Sequence, residues 1–191
     1  MLHCAYKVRA YAVHCLEKLD DEELSQYLLQ LCQVLKFEPF LDSALSRFLL
    51  RRALRNKTHV GHMYFWYLQA EMHIVDVQLR YGFMLELYLR NCGEHRVALG
   101  HQMFVMERLH EVALEAQSTP SKRCTAVVRK RLAAITFPER FQLPLDPQMQ
   151  VCGPSRFLQE HFVQIERRCI GTQLRSRILI PAAGVLRGFL F

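Results

Sequence analysis

The feature that most constrains this chain is an almost unbroken succession of apolar stripes at helical spacing, running from Val8 to Ile135 with only short punctuation between them. Residues that recur every three or four positions share one face of a helix, and a face of that kind must be buried. Val8, Ala12, Cys15, Leu16 and Leu19 form the first stripe. Asp20-Asp21-Glu22-Glu23 then supplies an N-cap with a carboxylate three residues later, at the positive end of the next helix dipole. Leu24, Leu28, Leu31 and Leu35 stripe that second helix. Pro39 stops it, and Asp42 is placed to cap a third. Leu45, Phe48, Leu49 and Ala53 form the inward side of the third helix, with Arg47, Arg51, Arg52 and Arg55 read as solvated.

Asn56-Lys57-Thr58 reads as a turn. The run Met63–Leu68 is apolar or aromatic at every position, which predicts a helix buried on several sides and central to the fold. Val77, Tyr81, Met84, Leu85, Tyr88 and Cys92 make a fifth helix ended by Gly93. Val105, Leu109, Val112 and Ala116 belong to a sixth. Cys124, Val128, Leu132 and Ile135 mark a seventh, with Lys122, Arg123, Arg129, Lys130 and Arg131 exposed. Helices of this length joined by short loops pack antiparallel, so residues 8–135 are expected to be all-α, either an α-solenoid or an irregular bundle. No clean internal repeat separates the two. Pro138, Pro144 and Pro147 make Phe137–Gly153 extended and loop-like, and the pattern after it is poor.

Charge follows the same division. Residues 1–117 carry 13 basic and 14 acidic side chains, whereas residues 118–191 carry 12 and 4. A near-neutral module is thus followed by a basic segment, which is not the pattern of a uniformly basic nucleic-acid-binding domain. The seven cysteines include no C-x-x-C pair and read as reduced thiols of a cytosolic or nuclear protein. No apolar stretch reaches the length of a membrane span; the longest, Ile178–Phe191, contains Arg187.

Motifs for chemistry are missing. There is no phosphate-binding G-x-x-x-x-G-K-[ST] loop, no H-E-x-x-H and no G-x-S-x-G. His59 and His62 are three residues apart, but nothing nearby completes a metal ligand set, so they read as one capping or solvated and one packed histidine. Glu107, Glu111 and Glu115 read as a solvated row. Tyr64–Tyr67 reads as core, since no Lys or Arg interleaves it. The one surface with a functional flavour is Lys122, Arg123, Arg129, Lys130 and Arg131, a candidate contact for an anionic partner.

Several segments together resemble the helical domain of class I phosphoinositide 3-kinase catalytic subunits. Val8-Arg9-Ala10-Tyr11-Ala12-Val13-His14-Cys15-Leu16-Glu17 is similar to the V-R-x-Y-A-V-x-C-L-E opening of a late helix pair in that domain. Gln33–Leu45 continues in register. Gly61-His62-Met63-Tyr64-Phe65-Trp66-Tyr67-Leu68 with Glu71-Met72-His73 resembles the family's G-H-x-x-F-W-x-L-x-x-E-x-H segment. Leu85–Gly93 and Leu143-Pro144-Leu145-Asp146-Pro147 also fit.

The resemblance implies an armadillo/HEAT-like α-solenoid of antiparallel helix pairs with an irregular basic C-terminal tail. Residues 1–136 would be an N-terminally truncated helical accessory domain and 137–153 a linker. Residues 154–191 would be an incomplete kinase N-lobe or a disordered tail, with Gln164–Cys169 a weak echo of its first strand.

The parent enzyme implied by the resemblance is a cytoplasmic, membrane-peripheral lipid kinase that uses ATP and magnesium. Its partners would be its own remaining domains, a regulatory subunit and membrane phosphoinositides, with no nucleic acid. The family's ATP-contacting lysine, G-D-R-H loop and D-F-G segment have no counterpart here, so no catalytic, cofactor or metal residue is expected and the chain alone is expected to be inactive. The rival expectation is a free-standing helical protein-interaction module.

Overall fold

The computed structural model describes residues 2–138, 140–144 and 146–152. They divide into two compact units, the first ending at Arg96 and the second beginning at Val97. Seven α-helices follow one another among the described residues: α1 (Leu2–Leu16), α2 (Asp21–Val34), α3 (Ala44–Arg55), α4 (His62–Ala70), α5 (Val75–Asn91), α6 (His95–Ser118) and α7 (Ser121–Ala134). No strand interrupts residues 8–134, so the all-α expectation holds there.

In the first unit α1 packs beside α3 and α3 beside α5, while α2 packs beside α4. Odd and even helices thus form two rows, the order produced by stacking helix pairs. Leu24, Leu28 and Leu35 of the predicted α2 stripe are buried, joined by Cys32, while Leu31 is only partly covered. α4 is the centre: Tyr64, Phe65, Trp66 and Leu68 are all buried, as its all-round apolarity predicts. α5 contributes Tyr81, Met84, Leu85, Tyr88 and Leu89. It ends where Gly93 takes φ 64°, a left-handed conformation that L side chains resist.

Four readings need correction. The α1 stripe is largely at the surface: Val8 is 62% exposed, Ala12 and Cys15 are exposed, and Val13 is the residue that turns inward. Asp42 does not cap α3. Ser43 does, its side chain accepting from the Ser46 backbone N–H at 3.1 Å and the Ser46 hydroxyl returning to the Ser43 N–H, while Asp42 pairs with Arg47. Arg52 is buried rather than solvated. The turn expected at Asn56–Thr58 is a five-residue π turn, Lys57–Gly61, which runs directly into α4. At the start of α2, Asp20 and Glu23 form the reciprocal capping box that the sequence predicts.

In the second unit Val112 and Ala116 of α6 pack with Cys124, Val128 and Leu132 of α7, flanked by Leu109 and Ile135, as their spacing predicts. The described residues of the expected extended stretch include two paired strands. Strand β1 (Arg140–Leu143) runs antiparallel to β2 (Asp146–Cys152) as a two-stranded hairpin. Pairing runs from Arg140 opposite Cys152 to Gln142 opposite Gln150, then jumps to Leu143 opposite Asp146. The skipped residues of β2 begin at Pro147, which has no N–H to give a ladder, so the irregularity absorbs it. The expectations for residues 154–191 lie outside the described residues.

Candidate functional site

One polar network in the first unit is organised around the buried Arg52. It sits on α3 four residues after Phe48 and three after Leu49, so helical geometry turns it toward the core. Its guanidinium donates to Asp21 Oδ1 from Nε at 3.1 Å and Nη2 at 2.7 Å, and from Nη1 to the Leu19 carbonyl at 2.8 Å. It also lies 5.8 Å from the Phe48 ring centre. Asp21 accepts a further bond from the Asn56 amide at 2.9 Å, and the Asn56 carbonyl oxygen caps the π turn through the His59 N–H. The Asn56 bond and Arg52 hold the Asp21 carboxyl below the usual carboxylate range, against the opposing effect of partial burial. One carboxylate therefore ties together the start of α2, the body of α3 and the entry to α4.

The loop between α2 and α3 is held in the same manner. Arg80 of α5 donates to the carbonyls of Glu38 and Phe40, each at 2.7 Å, and Arg9 of α1 pairs with the Glu38 carboxylate at 3.2 Å. Lys36 pairs with Glu71 at 3.0 Å. These groups serve backbone carbonyls and one another, and a loop supported this way is a structural joint.

A second cluster surrounds Gly61. His62 is fully buried, its ring centre 6.2 Å from that of His95. The His95 Nδ1 and the Tyr88 hydroxyl share a hydrogen bond at 2.9 Å. Burial, reinforced by His62 and Lys57, pushes the His95 pKa down to about 4, so the ring is neutral at pH 7. Burial pushes the Tyr88 hydroxyl well up. The backbone at Gly61 passes so close that a Cβ there would stand 2.2 Å from the Tyr88 hydroxyl and 2.6 Å from the Ala53 carbonyl oxygen. Of the predicted histidine pair, His62 is the packed member and His59 is partly covered beside the π turn. Among the described residues no three His, Cys, Asp or Glu converge to hold a metal ion.

The basic set divides. Arg131 leans back to Glu115 of α6 at 2.5 Å. Arg123, Arg129 and Lys130 are exposed on α7, and Lys122 is described only in its backbone. The glutamate row on α6 is not uniformly solvated: Arg108 holds Glu111 at 2.9 Å with Glu107 alongside at 3.9 Å. Sequence reasoning missed the Arg52–Asp21–Asn56 and Gly61–Tyr88–His95 clusters. The signal for Arg52 was available in its spacing from Phe48 and Leu49, whereas its partner 31 residues away was not.

Comparison with known proteins adds a family to this geometry. Residues 1–100 match the accessory domain (PIK domain) of the phosphoinositide 3-kinase family. Phosphatidylinositol 3-kinase 2 of Dictyostelium discoideum is 44% identical over 147 residues, 76% of this chain and 8% of that protein. Phosphatidylinositol 3-kinase 1 of the same organism is 44% identical over 151 residues, 79% of this chain and 10% of that protein. The chain thus spans a tenth or less of the length of these curated relatives.

Proposed function

Because the chain belongs to the phosphoinositide 3-kinase family, through its accessory domain, we propose that it serves as a packing spine in a phosphatidylinositol 3-kinase. Its work is to hold other domains in register. The parent enzyme transfers the γ-phosphate of ATP, with magnesium, to the 3-hydroxyl of phosphoinositides at the cytoplasmic face of a membrane. Residues 1–136 act as the helical domain and 137–153 lead toward the kinase lobe, whose start is 154–191. The partners are the remaining domains, a regulatory subunit and the lipid itself. No described helix is long and apolar enough to cross a membrane.

The observation that carries this reading is how the buried charge is used. Arg52, Asp21, Asn56, Arg80 and Glu38 are engaged in joining one helix or loop to the next. Phosphoryl transfer instead needs charge aimed at a nucleotide, most of its rate coming from preorganised groups on the transferring phosphate. The test is a chimera in which this chain replaces the matched stretch of Dictyostelium phosphatidylinositol 3-kinase 2. It is expected to make 3-phosphorylated lipid, while the isolated chain makes none and shows no rise in melting temperature with magnesium–ATP. A well-folded but inactive chimera, or an isolated chain that phosphorylates lipid, overturns the reading.

A second reading, a free-standing interaction module, draws on one feature: Val75 and Leu79 of α5 are 82% and 79% exposed, with Phe83 next along the same face. If that face binds a partner outside the kinase, changing Leu79 to Gln leaves the chimera fully active. If it packs inside the enzyme, the change lowers activity.

A further inference from the structure

We propose that the outer face of α7, carrying Arg123, Arg129 and Lys130, is a seat for an anionic lipid surface. α7 has five cationic residues in its 14 positions and no acidic one. At about 100° per residue, Arg129 and Arg123 bracket an arc of about 120° in which Lys130 also falls. Ala126 lies on the midline of that arc and Ala133 beside it. All five are exposed. The buried stripe Cys124–Val128–Leu132 lies on the opposite side of the helix, so the basic face points outward from its own core. Long cationic side chains flanking a midline of small alanines give a flat surface with mobile charges at its edges, which suits a plane of headgroups better than a groove.

Among the described residues, the charge clustered on this face is uncompensated, unlike that of the arginines on α3 that face carboxylates. On α3, Arg47, Arg51 and Arg52 are matched to Asp42, Glu17 and Asp21. On α7, Arg131 is matched to Glu115. Arg123, Arg129 and Lys130 have no carboxylate within ion-pair distance among the described residues. The helix start compounds this: Pro120 gives no side-chain cap, and the first turn has no acidic residue to balance the positive end of the dipole beside Arg123. An external anionic plane supplies what the fold omits. No aromatic side chain accompanies these cations on α7, so the face lacks the stacking element of a single-strand nucleic-acid site.

The inference rests on the proposed lipid-directed function, and its test needs neither ATP nor catalysis. The full chain is sedimented with phosphatidylcholine vesicles with and without about 30% phosphatidylserine. A cation near such a surface strengthens binding roughly fivefold. Removing three cations (Arg123→Gln, Arg129→Gln, Lys130→Gln) is therefore expected to weaken binding to the anionic vesicles about a hundredfold. Raising salt from about 0.1 to about 0.5 M should weaken the wild type similarly. The charge-matched control Lys18→Gln, Arg55→Gln, Arg96→Gln should bind as the wild type does.

Ala126→Glu, which puts a carboxylate on the midline without removing a cation, gives an independent second variant and should also weaken binding. Three results overturn the proposal: wild-type binding retained by both α7 variants, an equal loss in the control, or capture of soluble polyglutamate in preference to vesicles. The last would make an acidic protein the partner. An inactive chimera with vesicle binding intact would instead remove only the lipid-kinase reading.

Discussion

Replacing Gly61 by alanine sets two opposed effects against each other. Gly61 has φ −66° and ψ −37°, ordinary right-handed helical backbone. On backbone grounds alone, alanine should therefore stabilise the protein by about 0.5–1 kcal/mol. Packing argues the reverse. The new Cβ would meet the Tyr88 hydroxyl at 2.2 Å and the Ala53 carbonyl oxygen at 2.6 Å. Tyr88 is fully buried and hydrogen-bonded to His95, so it cannot swing aside, and the Ala53 oxygen belongs to the backbone of α3. Reaching normal contact requires α3 and α4 to part by several tenths of an ångström. Overpacking of this kind costs about 1–3 kcal/mol per site, and here two rigid neighbours resist, giving a net loss of about 2–4 kcal/mol.

Gly82 and Gly100 are the controls. A Cβ at Gly82 meets only the Met72 side chain, its methyl at 3.4 Å and its sulfur at 4.0 Å, and one at Gly100 meets nothing within 4 Å. Both alanine variants should gain about 0.5–1 kcal/mol. Urea unfolding followed by Trp66 fluorescence and far-ultraviolet circular dichroism reads all three. Adding Tyr88→Phe to Gly61→Ala removes the hydroxyl clash but not the carbonyl clash or the tight ring-carbon contact at 3.0 Å, and should recover about 1 kcal/mol beyond additivity. If Gly61→Ala proved neutral or stabilising like its controls, the close approach of α3 and α4 would not be what requires glycine there.

Asp21→Ala strands the buried Arg52 with only the Leu19 carbonyl; a loss of about 2–3 kcal/mol in urea midpoint analysis is expected, reduced from the usual cost of breaking a buried pair because Asp21 is partly exposed. Ser43→Ala removes the arm of the α3 capping box in which the Ser43 hydroxyl accepts from the Ser46 N–H, leaves the Ser43 N–H to Ser46 arm, and should cost about 1 kcal/mol by the same measurement. His95 has a folded-state pKa of about 4, below its unfolded 6.5, so the unfolded chain binds the extra proton first and stability falls as pH drops from about 6.5 toward 4. Solvent screening at this partly covered ring reduces the effect to about 1–2 kcal/mol. His95→Gln should remove that slope in unfolding curves between pH 7 and 4.5, and an unchanged slope would assign it to other groups.

The existence and order of the helices were legible because each carries a periodic stripe, and the α2 capping box was legible because both its members are local. What failed was the inference from a stripe to a neighbour. Val8, Ala12 and Cys15 share a face of α1, but periodicity says nothing of whether another element covers it. Arg47, Arg51 and Arg55 form a row at four-residue spacing, and Arg52 was grouped with them by composition although its angle places it beside Phe48. The hairpin was hidden by its prolines: Pro144 sits in the turn and Pro147 in the irregular part of β2, where a missing N–H is harmless. The clusters around Asp21 and Gly61 join residues more than 25 positions apart, a distance over which no local pattern reports.

The passage from α3 to α4 has a mechanical consequence. Only Asn56 separates α3 from the π turn, and the π turn ends at the residue before α4. Asn56 is itself fastened at both ends of its side chain, to Asp21 and to the His59 N–H. A protease needs several residues of pliable strand to thread through its cleft, and an inserted residue needs slack in which to settle. This elbow offers neither. A nick or an insertion there would have to open α3 and α4 together, so the two helices behave as one bent rod, and a push on the start of one is felt at the end of the other.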